Sequence, residues 1–289
     1  MSTAAIEWRG GRDAWWRGDD FPAWLPPMLV KELRQGVQAG AFIWMFVCFQ
    51  ATLFLVFSLQ VLVEGTDWGA CEFFFWLAAV AAIAVLIPLR GLAGIGGERA
   101  GNGLDLLQLT RLSATRIVLG KWASLVVQAM LVAVTLLPYL VLRYFFGGVD
   151  VLAELEWLGW ILAAAAVVAA AALALSTLPM WLRIGIGAAA CGGGFLLLAV
   201  IMDRSLILVF GRLDAAARIG LLAVLAVHAV AFLEFAAARI APPAENHAAR
   251  KRLLALALAA AWPVVGWLGP LPAAAATFMA TAPLLVCYA

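Results

Sequence analysis

WASLVVQAMLVAVTLLPYLVL, residues 122–142, runs from Lys121 to Arg143 without a single charge. An Asp, Lys or Arg at a bilayer centre costs about 2.5–3.5 kcal/mol on insertion scales. A membrane span needs roughly 17–25 apolar residues. This stretch therefore reads as a transmembrane helix, and the same ruler applies along the whole chain. Residues 35–63, 73–89, 157–182 and 184–202 are also uncharged, and the apolar run 219–240 is interrupted only by Glu234 and Arg239 near its end. Beyond Arg252 no charge occurs up to Ala289, and Pro270 and Pro272 divide that tail. Prolines end helices, so the tail is expected to form a C-terminal pair of membrane segments. The expected fold class is all-α, a polytopic helix bundle of six spans plus this hairpin.

Composition agrees. Of 289 residues 66% are hydrophobic and 12% charged, with a mean hydropathy of +1.02. Soluble domains carry about 45–50% apolar and about 25% charged residues, and disordered chains are richer still in charge. The net charge of +2 is too balanced to suggest a nucleic-acid partner. Cys48, Cys71, Cys191 and Cys287 lack paired spacing, and only His228 and His247 could add imidazole, so neither a disulfide framework nor a metal site is expected. There is no H-E-x-x-H and no G-x-S-x-G. Gly120-Lys121 lacks the earlier glycine and the following hydroxyl residue of a phosphate-binding loop. The expectation is no catalytic residue, no metal and no cofactor in this chain.

Orientation follows the basic residues. With the N-terminus cytoplasmic, 15 of the 19 Lys and Arg residues fall inside. Arg204, Arg212 and Arg218 fall outside, and Arg143, at a membrane edge, is expected to snorkel to the outer headgroups. Trp68, Trp76, Trp157 and Trp160 should mark the outer interface, and Trp24, Trp122 and Trp181 the inner one. The Trp-rich arm 1–27 has no apolar core of a signal peptide and is expected to be retained as a membrane-leaning tail. The alanines of residues 163–174 and the glycines of the fifth run read first as close helix packing, and second as the lining of a path. Glu234 is an intramembrane carboxylate, either functional or simply paired near the interface. His228 reads as a hydrogen-bonded interior residue.

Two segments on the cytoplasmic side carry more. After Pro26-Pro27, the residues Leu29, Val30, Leu33 and Val37 share one helical face, and Lys31, Glu32, Arg34, Gln35 and Gln38 the other. This is an amphipathic helix in the inner interface or, alternatively, a cytoplasmic extension of the first span. Between the second and third spans, a glycine-containing lead passes into Leu104, Asp105, Leu106, Leu107, Leu109, Thr110 and Leu112, with Ser113 placed to cap the third span. A leucine-rich helix too short to cross the membrane needs a groove, in this chain or in a partner.

This second segment resembles the linker of type-2 ABC exporter permeases, whose pattern runs roughly E-R-E-x-G-T-L-E-L-L-L-x-T-P-L-S-x-x-E-I-x-x-G-K. Glu98, Arg99, Leu104, Asp105 in place of Glu, Leu106, Leu107, Thr110, Leu112, Ser113, Ile117, Gly120 and Lys121 match without a gap. Asn102, Gly103, Arg111 and Arg116 depart from it. Lys31, Glu32 and Arg34 are similar to the family's interfacial elbow, and Leu206–Phe210 to its outer re-entrant segment. The resemblance implies a permease domain over residues 28–240, with a coupling segment at 97–116, followed by a basic loop and hairpin at 241–289. It further implies a multi-pass subunit of the bacterial inner membrane, working as a homodimer or a heterodimer. A separate cytosolic ATPase would bind the ATP. Glu98, Leu104, Asp105, Leu106, Leu107, Leu109, Thr110 and Leu112 would receive that ATPase. The alternative is an ABC-associated anchor that transmits force without transport.

Overall fold

A computed structural model of the chain describes residues 27–62, 68–100, 113–147, 149–181, 183, 215–241 and 249–257. The N-terminal arm, the leucine-rich stretch 101–112, the fifth uncharged run, Leu206–Phe210 and the C-terminal pair after 257 lie outside the described residues. Among the described residues all regular structure is helical. In chain order the helices are α1 (Pro27–Gln38), α2 (Gly40–Leu62), α3 (Trp68–Val80), α4 (Gly91–Ala100), α5 (Ala114–Val134), α6 (Leu137–Gly147), α7 (Val151–Ser176) and α8 (Ala215–Ile240), followed by α9 (249–257). Five stretches are long and apolar enough to cross a membrane: Gly40–Leu59, Cys71–Ile95, Ala114–Phe145, Val151–Ser176 and Arg218–Ile240. The chain is a multi-pass helical membrane protein.

Two of these spans depart from regular α-helix, and the causes are local. In the second, the residues Ala81–Leu86 between α3 and Pro88 form a π-helical stretch, with Ile87 N–H donating to Ala82 O. Pro88 brings no N–H, and its ring would collide with the carbonyl four residues earlier. The wider π turn accommodates both faults. In the third, Thr135 and Leu136 form a turn between α5 and α6, and Pro138 is the second residue of α6. The Thr135 hydroxyl donates to Val132 O at 2.7 Å and accepts from Gln50 Nε2 at 2.7 Å, so the freed groups find partners inside the bundle.

The spans bury two connected cores. One joins Phe49 and Leu53 of α2 with Phe75, Trp76 and Ile83 of the second span, Val132 and Leu136 of the third, and Leu158 of α7. The other joins Ile95, Ile117, Val118 and Leu173 to Leu233, Phe235 and Ala236 of α8. Small residues are prominent there: Ala169, Ala170 and Ala174 of α7 are buried in the same core as Ala236 and Ala237 of α8. Among the described spans α2 is the most exposed, with Trp44 71% and Phe54 67% exposed.

Cross-span contacts define two ends. At one end, Arg183 Nη1 donates to Leu92 O at 3.2 Å and Lys121 pairs with Glu32. At the other, Arg143 pairs with Glu154 and Arg218 with Glu156. α7 and α8 therefore run in the same direction, from Glu156 beside Arg218 to Leu173 beside Leu233. Lys121 and Arg143 stand 22 positions apart on one span, about 33 Å of helix, close to the thickness of a hydrocarbon core.

Candidate functional site

α1 lies lengthwise and parallel along α5. A Cβ on Gly120 would sit 3.0 Å from Met28 Cγ, Glu32 Oε1 is 3.0 Å from Lys121 Nζ, and Gly36 faces Gln128. Lys121 is buried, 4% exposed, so its ammonium depends on protein partners, Glu32 among them. Glu32 thus turns inward, whereas Lys31, Arg34, Gln35 and Gln38 remain exposed. The segment forms a helix of its own, α1, packed against α5 and followed by α2 from Gly40.

Arg90 closes the far end of the α1–α5 seam. Its Nη2 donates to Gly36 O at 2.8 Å, satisfying a carbonyl in the last turn of α1, where a cation is favoured by the helix dipole. Its Nη1 donates to Gln128 Oε1, and its guanidinium stacks over Phe42 at 5.4 Å. Gly36 has no Cβ, and that absence makes room for Gln128: a Cβ there would run into the Gln128 side chain. Arg90 immediately precedes α4, and α4 leads into the stretch 101–112. Arg90 thus joins the residue just before α4 to the end of α1 and, through Gln128, to the third span. Arg183, bonded to Leu92 O, ties the same helix to the chain just past the end of α7.

The opposite end holds a second charged group. Arg143 Nη2 is 2.8 Å from Glu154 Oε1 and 3.9 Å from Glu72 Oε1, and the guanidinium lies 4.6 Å over the Phe75 ring. Arg143 does not snorkel, contrary to the sequence expectation. It is 5% exposed, because Glu154 in the first turn of α7 and the face of Phe75 hold it inside. Arg143 Nη1 and Glu154 Oε2 are buried with no hydrogen-bond partner among the described residues. Beside this group Arg218 Nη1 meets Glu156 Oε1 at 2.7 Å, and Glu156 also lies 3.4 Å from Trp160 Nε1.

Other expectations fare unevenly. Ser113 occupies the cap position of α5, but its hydroxyl bonds Thr115 Oγ1 at 3.1 Å and caps no backbone N–H. Trp76 is a core residue, not an interface anchor: it is buried and edge-on to Phe75 at 5.4 Å. Trp122 donates from Nε1 to Ala166 O at 2.8 Å, joining α5 to α7. His228 is buried, and its Nδ1 is 2.7 Å from Val224 O, as the sequence suggested. Glu234 is half-buried on α8, beside the core residues Leu233 and Phe235. Glu98 falls in the last turn of α4 with its side chain outside the described residues. Leu104, Asp105, Leu106, Leu107, Leu109, Thr110 and Leu112 lie outside them altogether. Sequence reasoning did not single out Arg90, Gln128 or the Arg143–Glu154 pair. The available signal was a polar residue, Gln128, in the middle of an uncharged run, which in a membrane needs a partner on another helix.

Comparison with family models, with curated proteins and with solved structures finds no match for the chain.

Proposed function

We propose that the chain is the membrane-spanning subunit of an ATP-driven ABC exporter of the type-2 permease kind. It crosses the membrane six times and adds a C-terminal hairpin, with its N-terminus on the cytoplasmic side. Two such subunits form the substrate path, and a separate cytosolic ATPase docks on residues 97–116. The observation that supports this most is the Glu32–Lys121 pair. It joins the two stretches whose resemblance to the family is independent in sequence, the elbow at Lys31–Arg34 and the end of the linker at Gly120-Lys121. Arg90 then binds the helix that leads into the coupling segment to that same seam. Support for a sixth crossing comes from the described residues on either side of the fifth uncharged run. Arg183 is at the Lys121 end of the bundle and Arg218 at the Arg143 end, so the described residues on the two sides of that run stand at opposite ends.

The test is purification of the tagged full-length chain from its native membranes. A soluble ATPase with a Walker motif should come with it, together with ATP hydrolysis that the chain stripped of that subunit lacks. Purification that retains the bundle yet recovers no ATPase under several mild detergents would overturn the reading.

A further inference from the structure

The second span is built in two parts. Its inner part is fixed by Arg90 to Gly36 and Gln128, and its outer part carries Glu72 and Phe75. Between them lies the π-helical stretch Ala81–Leu86, followed by Pro88. A π stretch departs from the regular α winding and, inside an α-helix, is found mostly at functional sites. Glu72 is nine positions before that stretch, about 13 Å along the helix.

At the level of Glu72, two carboxylates compete for one guanidinium. Glu154 Oε1 holds Arg143 Nη2 at hydrogen-bond distance, whereas Glu72 Oε1 at 3.9 Å is an electrostatic neighbour only. The bond to Glu154 is single. The fork that Arg offers a carboxylate would use both nitrogens and both oxygens, yet here Nη1 and Oε2 are left buried without partners among the described residues. Buried polar atoms are almost always partnered, so the contact with Glu154 is made but incompletely satisfied. The side chain of Glu72 is 39% exposed and that of Glu154 8%. The two acceptors thus offer Arg143 different solvation, one on α3 and one on α7.

From this we propose that Arg143 is a two-position latch: bonded to Glu154 in the present conformation, it transfers to Glu72 when the outer part of the second span turns about the π stretch. Bonding to Glu154 ties the third span to the fourth. Bonding to Glu72 ties the third span to the second and releases the start of α7. The inference concerns how this end of the bundle changes shape, and it holds whatever the bundle carries.

A double-mutant cycle on the purified full-length chain tests it, read as thermal melting in detergent. If either carboxylate can receive Arg143, Glu154→Gln and Glu72→Gln each lower the melting temperature slightly. Their combination strands the guanidinium and lowers it by at least about twice the sum of the single effects. Should the combination fail to accumulate, adding Arg143→Met removes the stranded charge and restores folded protein. Additive costs, or a cost of Glu154→Gln alone equal to that of the double variant, would overturn the proposal. Spin labels at the exposed positions Phe145, Leu152 and Phe74 give a second reading. Glu154→Gln should lengthen the 145–152 distance and shorten the 145–74 distance, and unchanged distances in a folded Glu154→Gln protein would also overturn it.

Discussion

Glu32 Oε1 lies 3.0 Å from Lys121 Nζ across 89 positions of sequence, and the lysine side chain it meets is only 5% exposed. A pair this buried is costly to break from one side, because the remaining charge keeps its desolvation without its partner. It also fixes the register of α1 on α5, with Met28 beside Gly120 and Gly36 beside Gln128.

Lys121→Met is therefore expected to destabilise the purified protein by about 3 kcal/mol, the lower end of the range for broken buried pairs. Glu32→Leu added to Lys121→Met should recover most of that loss, since two apolar side chains can replace a buried pair at little cost. Denaturant or thermal unfolding in detergent measures both. Equal stability of the single and double variants would show that the pair does not act as a unit.

Gly36→Ala separates packing from helix propensity. Propensity alone favours alanine over glycine in a helix by about 0.5–1 kcal/mol. The new Cβ would instead strike the end of the Gln128 side chain, which is buried and whose Oε1 accepts from Arg90, so its displacement disturbs that bond. Overpacking of this kind costs about 1–3 kcal/mol, so the variant should be less stable than the parent. Gln128→Ala on top of it should relieve the clash, at the price of the Arg90 hydrogen bond. A stabilised Gly36→Ala protein would contradict the close approach.

Side-specific labelling checks the topology. Leu152 and Trp181 are both exposed, at opposite ends of the fourth span. In a background without the natural cysteines, Leu152→Cys should react with an impermeant thiol reagent on intact cells. Trp181→Cys should react only after the membrane is opened. The reverse pattern would invert the orientation drawn from the Lys and Arg distribution.

The spans were legible because a charge inside a bilayer is expensive, so gaps between charges mark helices wherever the chain is described. What the gaps do not carry is partnership between helices. Arg143 was read as snorkelling because nothing in its neighbourhood announces Glu154 or Glu72, which approach from other spans. Trp76 has the same sequence surroundings as an interface tryptophan, and only the fold places Phe75 and the third span around it. Ser113 was correctly placed at the start of α5, but Thr115 two positions on competes for its hydroxyl. The α1–α5 seam was half legible. Glu32 and Lys121 each stood out within a family-like pattern, yet their contact, and the roles of Arg90 and Gln128, required the packing of α1 along α5.

The central claim is that residues 97–116 couple this chain to a cytosolic ATPase, and pull-down with leucine variants tests it most directly. Leu106→Asp and Leu107→Asp each place a charge where a docking helix would bury an apolar side chain. Loss of one such anchor commonly costs about 2 kcal/mol or more of binding, and Asp105→Arg at the rim should act more weakly. Insertion depends on the flanking spans, so membrane yield of all three variants should match the parent. The account predicts normal yield of the chain, with ATPase recovery strongly reduced for the two leucine variants. Undiminished ATPase recovery with Leu106→Asp and Leu107→Asp, or loss of the chain itself from the membrane, would contradict it.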